Sequence, residues 1–92
     1  MDDVQEKTIR VSNSLGIHAR PAGKISQEAQ RYEATITVHS CDAEADAKSI
    51  LDLLSLAAPQ GAELRLTAQG PDAAQAISSL TRLFEDMFGE DR

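Results

Sequence analysis

Residues 15–22 read LGIHARPA, which places His18 two residues ahead of Arg20 and three ahead of Pro21. It is one of two histidines in the chain. A neutral imidazole nitrogen is a nucleophile, and a guanidinium nearby offers a planar fork of donors to phosphate oxygens. Proline is tolerated in a first helical turn, because the N–H groups there have no intrahelical partner. With His18 as N-cap, Pro21 falls at the third helical position. The backbone N–H groups of Ala19 and Arg20, together with the positive end of the helix dipole, then make a small anion site beside the ring. Gly16 permits a close backbone approach just ahead. These residues suit a histidine that carries a phosphoryl group, held by donors yet open for in-line transfer to another protein. A plain helix cap with a solvated Arg20 accounts for the same spacing, and spacing alone leaves both readings open.

Ser49 is the second candidate. It precedes an apolar run and has Asp52 three residues later, close to a capping box, so its local role is an N-cap. A phosphate at that position would suit the helix dipole and would act by adding charge beside Ile50, Leu51 and Leu54. Those three, with Ala19 and Ile25, are expected to form an apolar docking face around His18. Lys24 and Lys48 are expected at the surface, near the two phosphorylatable residues. His39 and Cys41 stand two apart at a strand end, but no third ligand has matching spacing, so no metal and no cofactor are expected.

Positioning these groups requires strands and helices that the hydrophobic pattern outlines. Lys7 to Val11 alternates through Ile9 and Val11, which predicts a half-buried strand after a frayed acidic start. Ala22, Ile25 and Ala29 recur at helical spacing and predict a helix from Ala19 to about Arg31. Glu33 to His39 returns to period two through Ala34, Ile36 and Val38. Ala43 to Ala47 is a short return strand, and Ser49 to Ala58 an apolar helix closed by Pro59 and Gly61. Ala62 to Gln69 alternates through Leu64, Leu66 and Ala68. Asp72 with Gln75 resembles a capping pair that starts a last helix, whose stripe is Ala73, Ala76, Ile77, Leu80, Leu83, Phe84, Met87 and Phe88. The order β-α-β-β-α-β-α predicts a two-layer α+β sandwich, an antiparallel sheet covered by helices on one side.

Composition narrows the function classes. The 92 residues suffice for one domain, expected over 1–92, with a core of aliphatic residues: there are one tyrosine, two phenylalanines and no tryptophan. Few aromatics and a formal net charge of -6 weigh against nucleic acid as a partner. The single cysteine excludes an internal disulfide and suits a reducing compartment. The chain opens on acids, with no stretch near the roughly 18 apolar residues of a membrane span, so a cytoplasmic protein without membrane insertion is expected. The tail EDMFGEDR reads as a solvated end.

LGIHARPA resembles the phosphorylation motif of the HPr family, the histidine-containing phosphocarriers of the phosphoenolpyruvate-dependent phosphotransferase system. AKSILDLLSLAAPQG resembles that family's signature around its regulatory serine, and LRLTAQGPDAAQAI its last strand and helix entry. The resemblance spans roughly residues 7 to 88. It implies an open-faced β-sandwich of four antiparallel strands under three helices. It further implies that His18 is the phosphoryl acceptor through Nδ1, that Arg20 stabilises the phosphate, and that Ser49 is a target of an ATP-dependent kinase. The implied partners are enzyme I as donor, IIA domains as acceptors, and a serine kinase/phosphorylase; a monomer is expected. The NSLG loop, with Leu15 where many relatives carry Asn or Ser, resembles the nitrogen-related branch. The Ala-Lys-Ser context of Ser49 resembles the sugar-type branch. The competing classes are a small regulatory binding module, which needs a closed pocket, and a docking protein without phosphotransfer.

Overall fold

The computed structural model describes residues 3–12 and 16–89. Its elements run β1 (Asp3–Arg10), α1 (Ala19–Ala29), β2 (Thr35–His39), β3 (Glu44–Asp46), α2 (Ile50–Ser55), β4 (Glu63–Gly70) and α3 (Ala73–Glu85), followed by a 3-10 turn at Met87–Gly89. The strands form one antiparallel sheet in the order β1-β4-β2-β3. Thr37 and Glu6 both face Thr67 of the central β4, and Ala45 faces Val38. α3 packs over β1 and β4, α1 against α3 and α2, and α2 against β3. This is the two-layer α+β sandwich that the alternation and helical stripes predict, in the open-faced form that the family resemblance implies.

The alternating residues explain the core. Ile9, Ile36, Val38, Leu64, Leu66 and Ala68 project from one side of the sheet and are all buried. They meet Ala22, Ile25 and Ala29 of α1 and Ala73, Ala76, Ile77, Leu80 and Phe84 of α3 in one contiguous cluster. Phe84 and Phe88 close it edge to face, their ring centroids 4.9 Å apart.

Several boundaries differ from the sequence expectation. β1 begins at Asp3, not Lys7, because the eight residues of β4 offer backbone partners to Asp3–Glu6 that require no apolar side chain. β2 begins at Thr35 because the N–H groups of Glu33 and Ala34 donate to the two carboxylate oxygens of Asp72, each at 2.9 Å. That also corrects the expected Asp72 capping pair: the side chain makes no cap bond to α3. The hydrogen bond from the Glu33 N–H is the largest effect holding the Asp72 carboxyl below its ordinary range. α1 stops at Ala29, and the N–H groups of Arg31 and Tyr32 turn back to carbonyls three residues earlier. α2 stops at Ser55, with Ala57 at φ 51. α3 stops at Glu85, and Phe88 at φ 57 turns its ring back to the core. Of the expected last stripe, the Met87 side chain lies outside the described residues, as do tail residues 90–92.

Candidate functional site

His18 is the N-cap of α1, extended at φ -115 and ψ -165, with its carbonyl accepting the Ala22 N–H at 2.9 Å. Its side chain makes no cap bond and is half-buried. Pro21 at the third helical position has no N–H, so the unsatisfied donors of the first turn are those of Ala19 and Arg20. The first turn holds no acidic residue. Ala19 and the Arg20 side chain are exposed. A helix start with two available N–H groups, a guanidinium and no carboxylate attracts an anion.

The chain leading into His18 is fixed from a distance. The Ile17 N–H donates to the Ala58 carbonyl at 2.9 Å, and the Ile17 side chain is buried. Gly16 sits at φ +70, and a Cβ there would lie 2.3 Å from the Ala58 oxygen and 2.8 Å from Pro59 Cα. Only glycine fits that contact. The segment after α2 therefore positions His18, a role that sequence reasoning missed. Pro59 and Gly61 signalled a helix end, but nothing local signals that the Ala58 carbonyl is spent on Ile17.

Ser49 is the N-cap of α2, its hydroxyl accepting the Asp52 N–H at 3.2 Å. The capping box is not closed in the usual way, because Asp52 accepts from the Asp46 N–H at 3.1 Å while the Ser49 N–H donates to the Asp46 carbonyl at 2.9 Å. Beside it, α2 shows solvent an apolar face of Ile50, Leu51 and Leu54, with Leu51 77% exposed. Ile25, expected on that face, is 0% exposed. It lies on the same stripe as Ala22 and Ala29, which α1 turns to the core, so it is unavailable for docking.

The two lysines do not end in solvent. Lys24 Nζ donates to the Phe88 carbonyl, and Lys48 Nζ to the Tyr32 carbonyl at 2.8 Å. Both therefore hold carbonyls just beyond helix ends, Phe88 after α3 and Tyr32 after α1. His39 is also engaged, through Nε2 with Thr67 Oγ1 at 3.0 Å and Nδ1 with Glu44 at 3.2 Å. A cavity of about 700 Å³ lies between the β2–β3 turn, residues 56–59 and the start of β4. It includes none of His18, Arg20 and Ser49. Among the described residues, no cluster of His, Cys, Asp or Glu could hold a metal ion, and no helix is long and apolar enough to cross a membrane.

Comparison with known proteins agrees with this layout. A family model described as the PTS HPr component phosphorylation site matches residues 5–86. A phosphocarrier protein HPr from Treponema pallidum is 42% identical over 85 residues, covering 92% of this chain and 97% of the relative. A phosphocarrier protein NPr from Klebsiella oxytoca is 34% identical over 87 residues, covering 94% and 97%. The crystal structure of HPr-C-His from Thermoanaerobacter tengcongensis superposes with a TM-score of 0.91 at 39% identity, covering 96% of this chain and 99% of that one. With sequence, fold and helix-start geometry in agreement, the chain belongs to the HPr family of phosphotransferase-system phosphocarriers.

Proposed function

We propose that His18 accepts a phosphoryl group from enzyme I and passes it to a IIA domain of the phosphotransferase system. The observation that carries this reading is the start of α1, where a half-buried, backbone-pinned histidine stands beside two N–H donors and Arg20, with no acid in the first turn. In the loading step a ring nitrogen of His18, Nδ1 by family resemblance, forms a bond to phosphorus as the bond from phosphorus to the donor breaks. The Ala19 and Arg20 N–H groups and the Arg20 guanidinium then face the new negative charge. The same exposed geometry leaves the group accessible for the reverse displacement onto the acceptor. A closed cage would hold the phosphoryl group too firmly for a carrier.

Ala19, Ile50, Leu51 and Leu54 form the docking face in this reading, with apolar contact to the partner beside the transferred group. Ser49 lies at its edge, where kinase-added charge would oppose docking. The chain works as a single domain over 1–92, as a monomer in the cytoplasm, and a serine kinase/phosphorylase controls Ser49. Mixing the protein with phosphoenolpyruvate, magnesium and enzyme I is expected to give an acid-labile, alkali-stable adduct that is lost in His18→Ala. No adduct on the wild-type chain, or an undiminished adduct on the variant, would overturn the proposal.

A further inference from the structure

We propose that the free edge of β1, together with the groove it forms with α3, binds an extended acidic peptide segment of a partner protein as a fifth strand. Among the described residues β1 pairs only with β4, and no other described strand lies beside its outer edge. The Val11 N–H donates to Ala62 and its carbonyl accepts from Gly61, so both point toward β4. Alternation along an antiparallel strand then directs the backbone groups of Val4, Glu6, Thr8 and Arg10 to the open edge. None of these edge groups has a hydrogen-bond partner among the described residues. Such a row is a template for strand addition.

The helix beside this edge adds side-chain recognition. Two adjoining depressions of about 330 Å³ each run between β1 and α3 and share Lys7, Thr81 and Glu85. Ile77 floors one and Phe84 the other, both buried in the core, so recognition in the groove falls to the polar side chains of its walls. The Thr81 hydroxyl is buried without a partner among the described residues, an unmet hydrogen-bonding group in the shared wall. An added strand turns alternate side chains into such a groove, the arrangement by which a strand and a helix together read an extended peptide.

Charge selects the occupant. Lys7 and Arg82 line the groove with no ion-pair partner among the described residues, against the single carboxylate of Glu85. This is a locally cationic strip on a chain of formal net charge -6. A segment whose inward side chains are Asp or Glu complements it. A second copy of β1 fits worse, because its helix-side residues include Lys7, which would enter a groove already holding Lys7 and Arg82. The groove shares no residue with His18, Arg20, Ser49 or the α2 face. A partner held here therefore leaves the phosphocarrier site uncovered.

The probe is an end-blocked peptide alternating valine with glutamate, titrated into the full chain and followed by amide NMR and hydrogen exchange, with a valine-lysine peptide as control. The acidic peptide is expected to shift and protect the Val4, Glu6, Thr8 and Arg10 amides, and the control to leave them unchanged. Lys7→Glu and Arg82→Glu should each weaken binding by about tenfold, and Glu85→Gln should tighten it. Thr8→Pro removes only an edge donor, so it should abolish binding while the urea midpoint and the His18 adduct stay near wild type. No protection of the four amides, equal binding of both peptides, or protection that accompanies dimer formation in sedimentation would each overturn the proposal.

Discussion

The Ser26 hydroxyl donates a hydrogen bond to the Lys48 carbonyl at 2.8 Å, tying the middle of the His18 helix to the residue that leads into Ser49. Ser26 is 2% exposed, the one buried polar residue among the described residues. Gln30 Nε2 reinforces the link, reaching Ser26 Oγ at 2.9 Å and the Lys48 carbonyl at 3.3 Å. Both candidate phosphorylation positions thus belong to one hydrogen-bonded frame. Ser26→Ala removes the stronger donor and leaves the carbonyl with the longer bond. It is expected to cost about 1–2 kcal/mol, measured by urea unfolding. A midpoint equal to wild type would show that the frame does not depend on this bond.

Gly16 and Gly23 should respond oppositely to alanine. At Gly16 the new methyl group meets the Ala58 carbonyl at 2.3 Å in a left-handed backbone conformation, and backbone of this kind yields only by moving the His18 loop. Gly16→Ala is expected to destabilise by about 2–4 kcal/mol and to slow phosphoryl loading. Gly23 lies within α1, with nothing within 4 Å of an added Cβ. Gly23→Ala should stabilise by roughly 0.5–1 kcal/mol. Paired thermal melts and adduct assays check both, and a loaded, stable Gly16→Ala chain would contradict the pinned loop.

Asp72 should make stability depend on acid. Its folded pKa is depressed, first by the Glu33 N–H hydrogen bond and also by that from Ala34. A depressed carboxyl binds fewer protons folded than unfolded, so its contribution is present above the unfolded value, roughly pH 4, and is lost as pH falls through the folded value. Urea midpoints measured from neutral pH downward should fall in this acid range for wild type. Asp72→Asn should start lower and decline less steeply. Glu28 adds in the same direction, its carboxyl lowered chiefly by the Ser79 hydroxyl that joins α1 to α3. Parallel curves for wild type and Asp72→Asn would remove Asp72 as a source of the acid sensitivity.

How much of this was legible in the sequence follows from the range of each interaction. Ile36, Val38, Leu64 and Leu66 declare their strands because period two is a local property, and Ser49 declares its cap because the Asp52 N–H is three residues away. Asp72 looks equally suited to capping, yet its carboxylate is taken by N–H groups 39 and 38 residues away, a competition that no window reveals. The start of β1 was hidden for a similar reason: Asp3–Glu6 extend the strand through backbone pairing with β4, not through a hydrophobic pattern. Ile25 teaches the reverse. Its spacing with Ala22 and Ala29 marked a core stripe, and one narrow stripe cannot also face a partner. At His18 the helix start was readable, whereas the Ala58 and Pro59 contacts that aim it were not.

Ser49 permits a separation of capping from charge. Its hydroxyl caps α2, and aspartate is as good an N-cap as serine, so Ser49→Asp should keep stability within about 0.5 kcal/mol of wild type. Ser49→Ala loses the cap and should cost about 1 kcal/mol. Transfer from enzyme I should show the opposite order. The alanine variant keeps the Ile50, Leu51 and Leu54 face uncharged and should load near the wild-type rate, whereas the aspartate sets a carboxylate beside that face and should load about tenfold more slowly. Leu51→Ala, which removes the most exposed of these side chains, should slow loading without altering the urea midpoint, because the residue contributes little to the core. If the rates of both Ser49 variants instead follow their stabilities, the serine acts through the helix alone and the charge mechanism fails.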